Sequence, residues 1–539
     1  MRDLGLSDVA LEPVPVDAWR LREAFVELAD GTRFECASFG GVPGGVVTGE
    51  LVRVGRGGRR QLDKIDVAGK VALVEWEVQR LWPCHVGLEL GLRGAAAMIL
   101  TSPPGGPYYQ APEALGTFDG QWHAQGPPCV TIRKEDAPKL HGRVEVVLDA
   151  TLQPAEAANV VGVLPGQRDG SPSIVAGHHD GWFHAAFDDA TGVAVTLELA
   201  RALREAGVRP ERPIVFVSHT AEEYGLADSP YDWCFGAWWQ IVEEHREWST
   251  DASFYLNVEG SGRPAPFTVD APPELRRWAR GVCRRAARDG LLPRGFGIGK
   301  PSTWTEVWPF LAAGVPGINV STFTDDFDRT EYHTQYDTPD RVDFGYLAQL
   351  TRVCADLLLE GPETPLDYRA RARELRGVLP RDALDDLARA QGRDRFTAVG
   401  RGLHGLDARE TARYPHEQTA RDVRNLERGA LDRVGLNWLC RDLSAEAFAI
   451  ERARRGRDAP RACWAAQGDP DVGPDLWHEL AAIRGEAGAR PAGPWIDESV
   501  QRHLAASRKE LDRRIDRMTR AARGEVFPLP RPSRENRPG

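Results

Sequence analysis

From Asn159 onward the chain alternates short, continuously apolar segments with stretches of helical period, and this alternation narrows the fold more than any other feature. Asn159-Val-Val-Gly-Val-Leu164, Ser173-Ile-Val-Ala176 and Pro213-Ile-Val-Phe-Val-Ser218 carry no polar face, the pattern of strands buried on both sides. Helical segments fit between and after them. Gly192 to Ala206 places Val193, Val195, Leu197, Leu199 and Leu203 among good helix formers. Tyr346 to Leu359 repeats the spacing with Leu347, Leu350, Val353, Leu357 and Leu358. A doubly wound α/β fold around a mixed sheet follows, and ligands of such sheets bind beyond the carboxyl ends of the strands.

The flanks read differently. With 539 residues the chain exceeds the roughly 250–300 over which one core grows, so several domains are expected. After an N-terminal segment, residues 1–30, the stretch 31–152 alternates β-rich runs with Gly/Pro punctuation. Its runs are Lys70-Val-Ala-Leu-Val-Glu-Trp76, Ala95-Ala-Ala-Met-Ile-Leu-Thr101 and Pro128-Cys-Val-Thr-Ile-Arg133, with the helix-like His85-Val-Gly-Leu-Glu-Leu-Gly-Leu92 between the first two. A small separate α/β module is predicted there, followed by the main α/β unit at 153–362. From 363 to 525 strand signals stop and Arg, Ala, Leu, Asp and Glu dominate around isolated tryptophans, which predicts a mainly helical region. The tail 526–539, rich in Pro and Arg, has too little to bury and is expected to be disordered.

The chemistry concentrates at predicted strand ends. Gly177-His178-His179-Asp180 follows one apolar strand, and Asp188-Asp189-Ala190-Thr191-Gly192 opens the next helix. Ala221-Glu222-Glu223-Tyr224-Gly225 follows the strand that ends at Ser218, and adjacent carboxylates repel unless a cation or separate donors compensate. Glu259 follows the strand-like Ser253-Phe-Tyr-Leu-Asn-Val258, and His333 sits in Glu331-Tyr-His-Thr-Gln-Tyr-Asp-Thr-Pro339. Singly each is ordinary: a glutamate after a strand is most often a solvated loop residue. Together they offer imidazoles and carboxylates in the N/O combination that zinc accepts.

The remaining composition excludes other classes. A net charge of -11 gives no electrostatic reason to bind nucleic acid or an anionic membrane. The eight cysteines are scattered, with no C-x-x-C pair for a thiolate zinc site or redox dithiol, and most read as buried free thiols. No apolar run approaches membrane-spanning length and the N-terminus lacks a signal-peptide pattern, so the expected location is cytoplasmic, or secreted if the true start lies upstream. The sequon Asn319-Val320-Ser321 reads as part of a buried strand. No G-x-S-x-G elbow supports a serine hydrolase, and Val54-Gly-Arg-Gly-Gly58 lacks the lysine of a phosphate loop.

The segments GHHDGW, FDDATG, AEEYGL, NVEGSG and YHTQYDTPD, in that order, resemble the five metal-site motifs of M28 metallopeptidases over about residues 155–360. The module before them resembles a protease-associated domain. The resemblance implies a di-zinc exopeptidase fold with two zinc ions per chain and a peptide or small amide as substrate. It makes Asp188 the carboxylate bridging both metals, with His178 and Glu259 completing one site and Glu223 and His333 the other. It makes Glu222 the general base, Asp180 the aspartate that holds the His178 tautomer, and Tyr332 a donor to the tetrahedral intermediate. His179 sits where relatives vary and is not expected to bind metal.

Glu259 stands where many members have aspartate, and Lys300-Pro-Ser-Thr-Trp-Thr-Glu-Val-Trp-Pro-Phe310 replaces a Ser-Asp-His-type pattern, so substrate contacts do not transfer from that loop. In some relatives a C-terminal helical domain mediates dimerisation, and Trp438, Trp464, Trp477 and Trp495 make a homodimer through this region an expectation here. Two alternatives remain open: a non-catalytic binding or scaffold protein on the same fold, and a single-zinc acyltransferase of the glutaminyl-cyclase type. Trp182, Trp304 and Trp308 flank the motifs and read as core packing ahead of a specificity pocket.

Overall fold

The computed structural model describes residues 1–389 apart from 58–61, 63, 76–85, 88–89, 92, 102–110, 118–125, 226–233, 302–304, 314, 375 and 377–379, and beyond these Asp516, Thr519, Arg520 and Arg523. Trp304, the four C-terminal tryptophans and the tail 526–539 lie outside the described residues.

Seven strands build the C-terminal part of one large sheet. They are β7 (Arg143–Leu164), β8 (Ser173–His178), β9 (Ile214–His219), β10 (Phe254–Val258), β11 (Phe267–Asp270), β12 (Phe296–Gly299) and β13 (Gly317–Ser321), in the order β7-β9-β8-β10-β13-β11-β12. The four strands from β9 to β13 run parallel, with antiparallel partners on either side, so the sheet is mixed. Every residue of β8, β9, β10 and β13 is buried, including Asn319 of the sequon.

Successive side chains enter opposite cores, as the two-residue period of a strand dictates. Ile174, Ala176, Val215, Val217 and Tyr255 join one cluster with Val307, Phe310 and Leu311 of the helix Val307–Ala313. Val175, Phe216, Leu256 and Val258 join another with Val195 and Leu199 of α1 (Thr191–Glu205); besides the single turn Trp248–Asp251, the later helices are α2 (Phe235–Trp239), α3 (Pro273–Arg288), α4 (Val307–Ala313), α5 (Asp325–Thr330), α6 (Phe344–Glu360), α7 (Tyr368–Glu374) and, among the described residues, α8 (Arg381–Arg389). Among the described residues no helix is long and apolar enough to cross a membrane.

The preceding part differs from the sequence expectation in a definite way. A 22-residue strand, β1 (Ser7–Leu28), occupies what the sequence presents as an N-terminal segment. It pairs antiparallel with β7 from Ser7↔Val163 to Leu28↔Val144. β7 itself runs unbroken through residue 152, where the sequence analysis ends the first module. Beyond this ribbon, β2 (Arg33–Ala37), β3 (Gly45–Arg53), β4 (Val71–Val74), β5 (Ala97–Thr101) and β6 (Cys129–Ile132) complete the order β1-β2-β6-β5-β4-β3-β7, and the β7–β1 pairing closes the ring. Its buried residues, among them Val26, Leu73, Ile99 and Val130, are contiguous with one face of β8 to β10.

The start of the C-terminal region is also tied down. Arg371 of α7 is buried and forms a two-pronged ion pair with Glu274 of α3, Nε to Oε2 at 3.0 Å and Nη2 to Oε1 at 3.1 Å. Planar guanidinium and carboxylate match in this geometry, which fixes α7 on the α/β unit beyond residue 362. Removing one partner leaves a buried charge alone, so Arg371→Met is expected to cost about 3–5 kcal/mol. Adding Glu274→Leu should recover most of that loss, as measured by denaturant unfolding of the two variants.

Candidate metal centre

Three loops and one helix start meet beyond the carboxyl ends of β8, β9 and β10, and each brings acidic or imidazole side chains. His178 is the last residue of β8, Glu222 and Glu223 follow β9, and Glu259 follows β10. Asp188 lies in the turn Ala186–Ala190 ahead of α1, and its peptide bond to Asp189 is cis. His333 comes from the loop after α5. All six are buried.

Their ligand atoms form overlapping triads within 4.8 Å: His178, Asp188 and Glu259; Asp188, Glu223 and His333; and His178, Glu222 and Glu223. Asp188 divides its two oxygens, with Oδ1 3.4 Å from His178 Nε2 and Oδ2 3.5 Å from His333 Nε2. His333 Nε2 also lies 3.2 Å from Glu223 Oε2. His178 Nε2 is buried without a hydrogen bond, although a polar atom out of water normally has a partner. Four carboxylates buried this closely repel one another unless positive charge stands among them. Orphaned imidazole nitrogen and crowded carboxylate oxygen together fit divalent metal of the zinc type.

The electrostatics carry the same strain. Burial, and then the charges of Glu306, Glu223 and Glu259 against the pull of His178, push the Glu222 carboxyl well above the usual carboxylate range. Burial does the same to Glu259, reinforced by Glu306 and Asp188. Burial opposes ionisation of Asp188 too, but His178 and His333 outweigh it and hold this carboxyl below its ordinary value. His178 is held well above the ordinary imidazole range: burial works against its charge, and Glu222, Asp180 and Asp188 overcome it.

Asp180 meets His178 with both its main chain and its carboxylate. The group facing His178 Nδ1 is the Asp180 main-chain oxygen at 2.9 Å, while the nearer carboxylate oxygen is 3.7 Å away. The carboxylate also accepts from the backbone N–H of Glu222 at 3.1 Å and of Glu223 at 2.9 Å. One residue therefore orients both the imidazole and the glutamate loop. Tyr332 is half-buried and stacks on His333, ring centroids 3.6 Å apart. His179 turns away, with Nδ1 2.9 Å from Ser218 Oγ. Trp182 lies between Trp19 of β1 and His333, with centroids 6.4 and 6.5 Å away, whereas Trp308 is part of the core.

Several residues that position the cluster have no signal in the sequence beyond their type. Asp189 accepts three backbone N–H groups: His178 at 3.2 Å, Gly192 at 3.0 Å and Gly260 at 2.9 Å. It thereby pins the end of β8, the start of α1 and the residue after Glu259 to one another. Gly192 is required there, since a Cβ would collide with Val258 O and the Asp189 carboxylate. Asp337 accepts from Phe187 N at 2.8 Å and Asp188 N at 3.0 Å, and burial pushes its carboxyl up to about 6. Cys234 Sγ donates to Glu222 Oε1 at 3.3 Å.

The ring of strands also reaches the centre. Thr117 N donates to His333 O at 2.9 Å, Gly116 bridges to Thr334, and Leu115 N donates to Gln335 Oε1 at 2.7 Å. His333 has φ 54°, in the left-handed region, as do Ala185 at 45° and Ala221 at 54°. Each such residue costs about 1–2 kcal/mol, and the hydrogen bonds around the cluster hold it. Asp188 and Asp189, adjacent and alike in type, should separate in experiment. Asp189→Ala removes three buried bonds and should lower the stability of metal-free protein by about 2–4 kcal/mol. Asp188→Asn should leave that stability within about 1 kcal/mol, since it removes charge from a crowded acidic cluster. Thermal unfolding of both variants under chelator distinguishes them.

Residues 159–358 match the model of peptidase family M28. A probable glutamate carboxypeptidase of Arabidopsis thaliana is 36% identical over 206 residues, which cover 34% of this chain and 28% of that protein. Aminopeptidase NAALADL1 of Rattus norvegicus is 28% identical over 235 residues, covering 37% of this chain and 30% of the relative. The chain thus spans 28–30% of the length of these two curated relatives. Among solved structures, a zinc aminopeptidase from Bacillus subtilis shares the fold with a TM-score of 0.54 at 20% identity, over 67% of this chain and 86% of that one. A peptidase M28 precursor from Shewanella amazonensis aligns over the same shares with a TM-score of 0.53 at 20% identity. The match to the peptidase family M28 model is confined to residues 159–358.

Proposed function

We propose that this protein is a zinc-dependent exopeptidase that hydrolyses a terminal peptide bond at a two-metal centre. The observation that carries the reading is the placement of Asp188, one oxygen toward each imidazole, at the junction of two ligand triads. His178 and Glu259 would complete one half-site, and Glu223 and His333 the other. Zinc bound there would acidify the attacking water and polarise the scissile carbonyl. Residues 31–152 are assigned as a protease-associated domain, and residues 363–525, most of which lie outside the described residues, as a helical region that forms a homodimer.

The protein's own groups supply the proton transfers. Glu222 accepts the proton of the attacking water and returns it to the leaving amine, a contribution of about 10²–10⁴ in rate. Its raised affinity for a proton suits a group that must hold one between the two steps. Cys234 and the Asp180-bound backbone keep it from rotating away. Tyr332, fixed by its stack on His333, is the assigned hydrogen-bond donor to the tetrahedral oxyanion.

Glu222→Gln preserves shape and removes the basic lone pair, so zinc content and KM should persist while kcat falls about 10²–10⁴. Glu223→Gln exchanges an anionic oxygen for an amide and should lower zinc content as well as rate. Bound zinc, KM and kcat of both variants check the division of labour; equal, minor effects would remove Glu222 as base. The activity itself is read by mass spectrometry on a library of free, N-blocked and C-blocked peptides. Loss of one terminal residue, blocked by chelator and restored by zinc, is expected. No cleavage of any peptide by the zinc-loaded protein would contradict the reading.

A further inference from the structure

A line of buried polar side chains runs from the carboxylate cluster to the protein surface and takes no part in the proton transfers above. Asn257 Nδ2 lies 3.2 Å from Glu259 Oε2, 2.9 Å from Glu306 Oε2 and 3.0 Å from Asn319 Oδ1. Glu306 Oε1 faces His219 Nδ1 at 3.7 Å. His219 Nε2 lies 2.9 Å from Gln240 Oε1, and Gln240 Nε2 donates to Glu12 Oε2 at 2.8 Å. The other oxygen of Glu12 meets His245 Nε2 at 2.7 Å, where the side chains reach solvent. Asn257, Glu306, His219 and Gln240 have no exposed surface at all.

Chemistry fixes the sense of each link. Gln240 turns its NH₂ toward Glu12 and its carbonyl toward His219. His219 Nε2 must then carry hydrogen. The opposite ring nitrogen, Nδ1, faces Glu306 Oε1 at 3.7 Å. Although burial opposes its charge, His219 together with His178 and Asn257 holds the Glu306 carboxyl below the ordinary range. The Tyr255 hydroxyl donates to Asn257 Oδ1 at 3.2 Å and so turns the Asn257 NH₂ toward Glu306, Asn319 and Glu259, which share its two hydrogens.

A negative charge at Glu306 is costly at this place, because it repels both Glu222 and Glu259. Its geometry shows what it secures. Tyr255, Asn257 and Glu259 alternate along β10 and just beyond it, so they share one face, and His219 ends the strand two places away in the sheet. Glu259 has one more rotatable bond than an aspartate at the same position, and restraining that arm costs conformational entropy. The Asn257 amide, itself held by Glu306, restrains one oxygen of Glu259, a residue of the first ligand triad.

We propose that Glu306 and His219 are positioning residues that hold Glu259 for metal binding through Asn257. The inference rests on the two-metal reading above. It is tested on the full chain by competition for zinc with a chromophoric chelator and by thermal unfolding with and without zinc. Glu306→Gln should weaken one of two bound ions by about 10–100-fold and leave the other unchanged, with Glu306→Asp restoring part of the affinity. Arg371→Met, destabilised at a remote ion pair, serves as control: its melting temperature should fall with zinc affinity intact. Asn257→Ser leaves the His219–Glu306 pair in place and should weaken the same ion, which keeps the test open if Glu306→Gln does not fold. Wild-type affinity for both ions in Glu306→Gln or in Asn257→Ser would overturn the inference while leaving the metal centre standing. A wild-type chain that binds no zinc would instead remove the metal centre, and the inference with it.

Discussion

Taking Asp188, Glu222, Glu223 and Glu259 out of water side by side is the demand that the surrounding structure is built to meet. Like charges in a shielded site repel strongly, and each also loses its hydration. The fold answers with two imidazoles, with backbone N–H groups aimed at the supporting acids, and with an arrangement of oxygens that a pair of divalent cations would neutralise. Asp189 and Asp180 show the principle most clearly. Neither belongs to a ligand triad, yet each carboxylate accepts backbone hydrogens from the loops that carry the ligands. The acids of the ligand triads are held by acids that bind backbone.

The same economy explains why the ring of strands and the α/β unit are inseparable. His333 lies on a loop with a left-handed backbone, and its carbonyl and both following residues are held by Leu115, Gly116 and Thr117 of the preceding part. These in turn are fastened within the ring: Thr117 Oγ1 donates to Ser38 O at 2.6 Å and Thr131 Oγ1 to Gly116 O at 2.6 Å. The long β1–β7 ribbon joins the two parts and carries Trp19 to the neighbourhood of Trp182 and His333. One half of the centre is therefore completed by residues far from the motifs in sequence.

That division marks what was legible in the sequence. β8, β9, α1 and α6 announce themselves because their burial is dictated by local periodicity, and the ligand types stand at their ends. β1 does not, since Pro13 and Pro15 and many charges disguise it. These prolines are tolerated because this stretch of β1 pairs on one side alone, with β7 about 140 residues away, a fact only tertiary structure supplies. Asp337, Glu306 and Asn257 were illegible for a related reason. Their importance lies in which donor they face, and a glutamate ahead of Val307-Trp-Pro-Phe310 looks like any acidic residue at a helix start. Asp180 was found from its motif, but the backbone N–H groups of Glu222 and Glu223 that its carboxylate also accepts were not.

The central claim is that two metal ions share Asp188. Anomalous diffraction at the zinc edge, from crystals of the zinc-loaded full-length chain, tests it without reference to activity. The account predicts two peaks about 3.5–4 Å apart, one beside His178 and Glu259, the other beside Glu223 and His333, with Asp188 between them. A single peak among these side chains, or none while zinc occupies another part of the molecule, would contradict it.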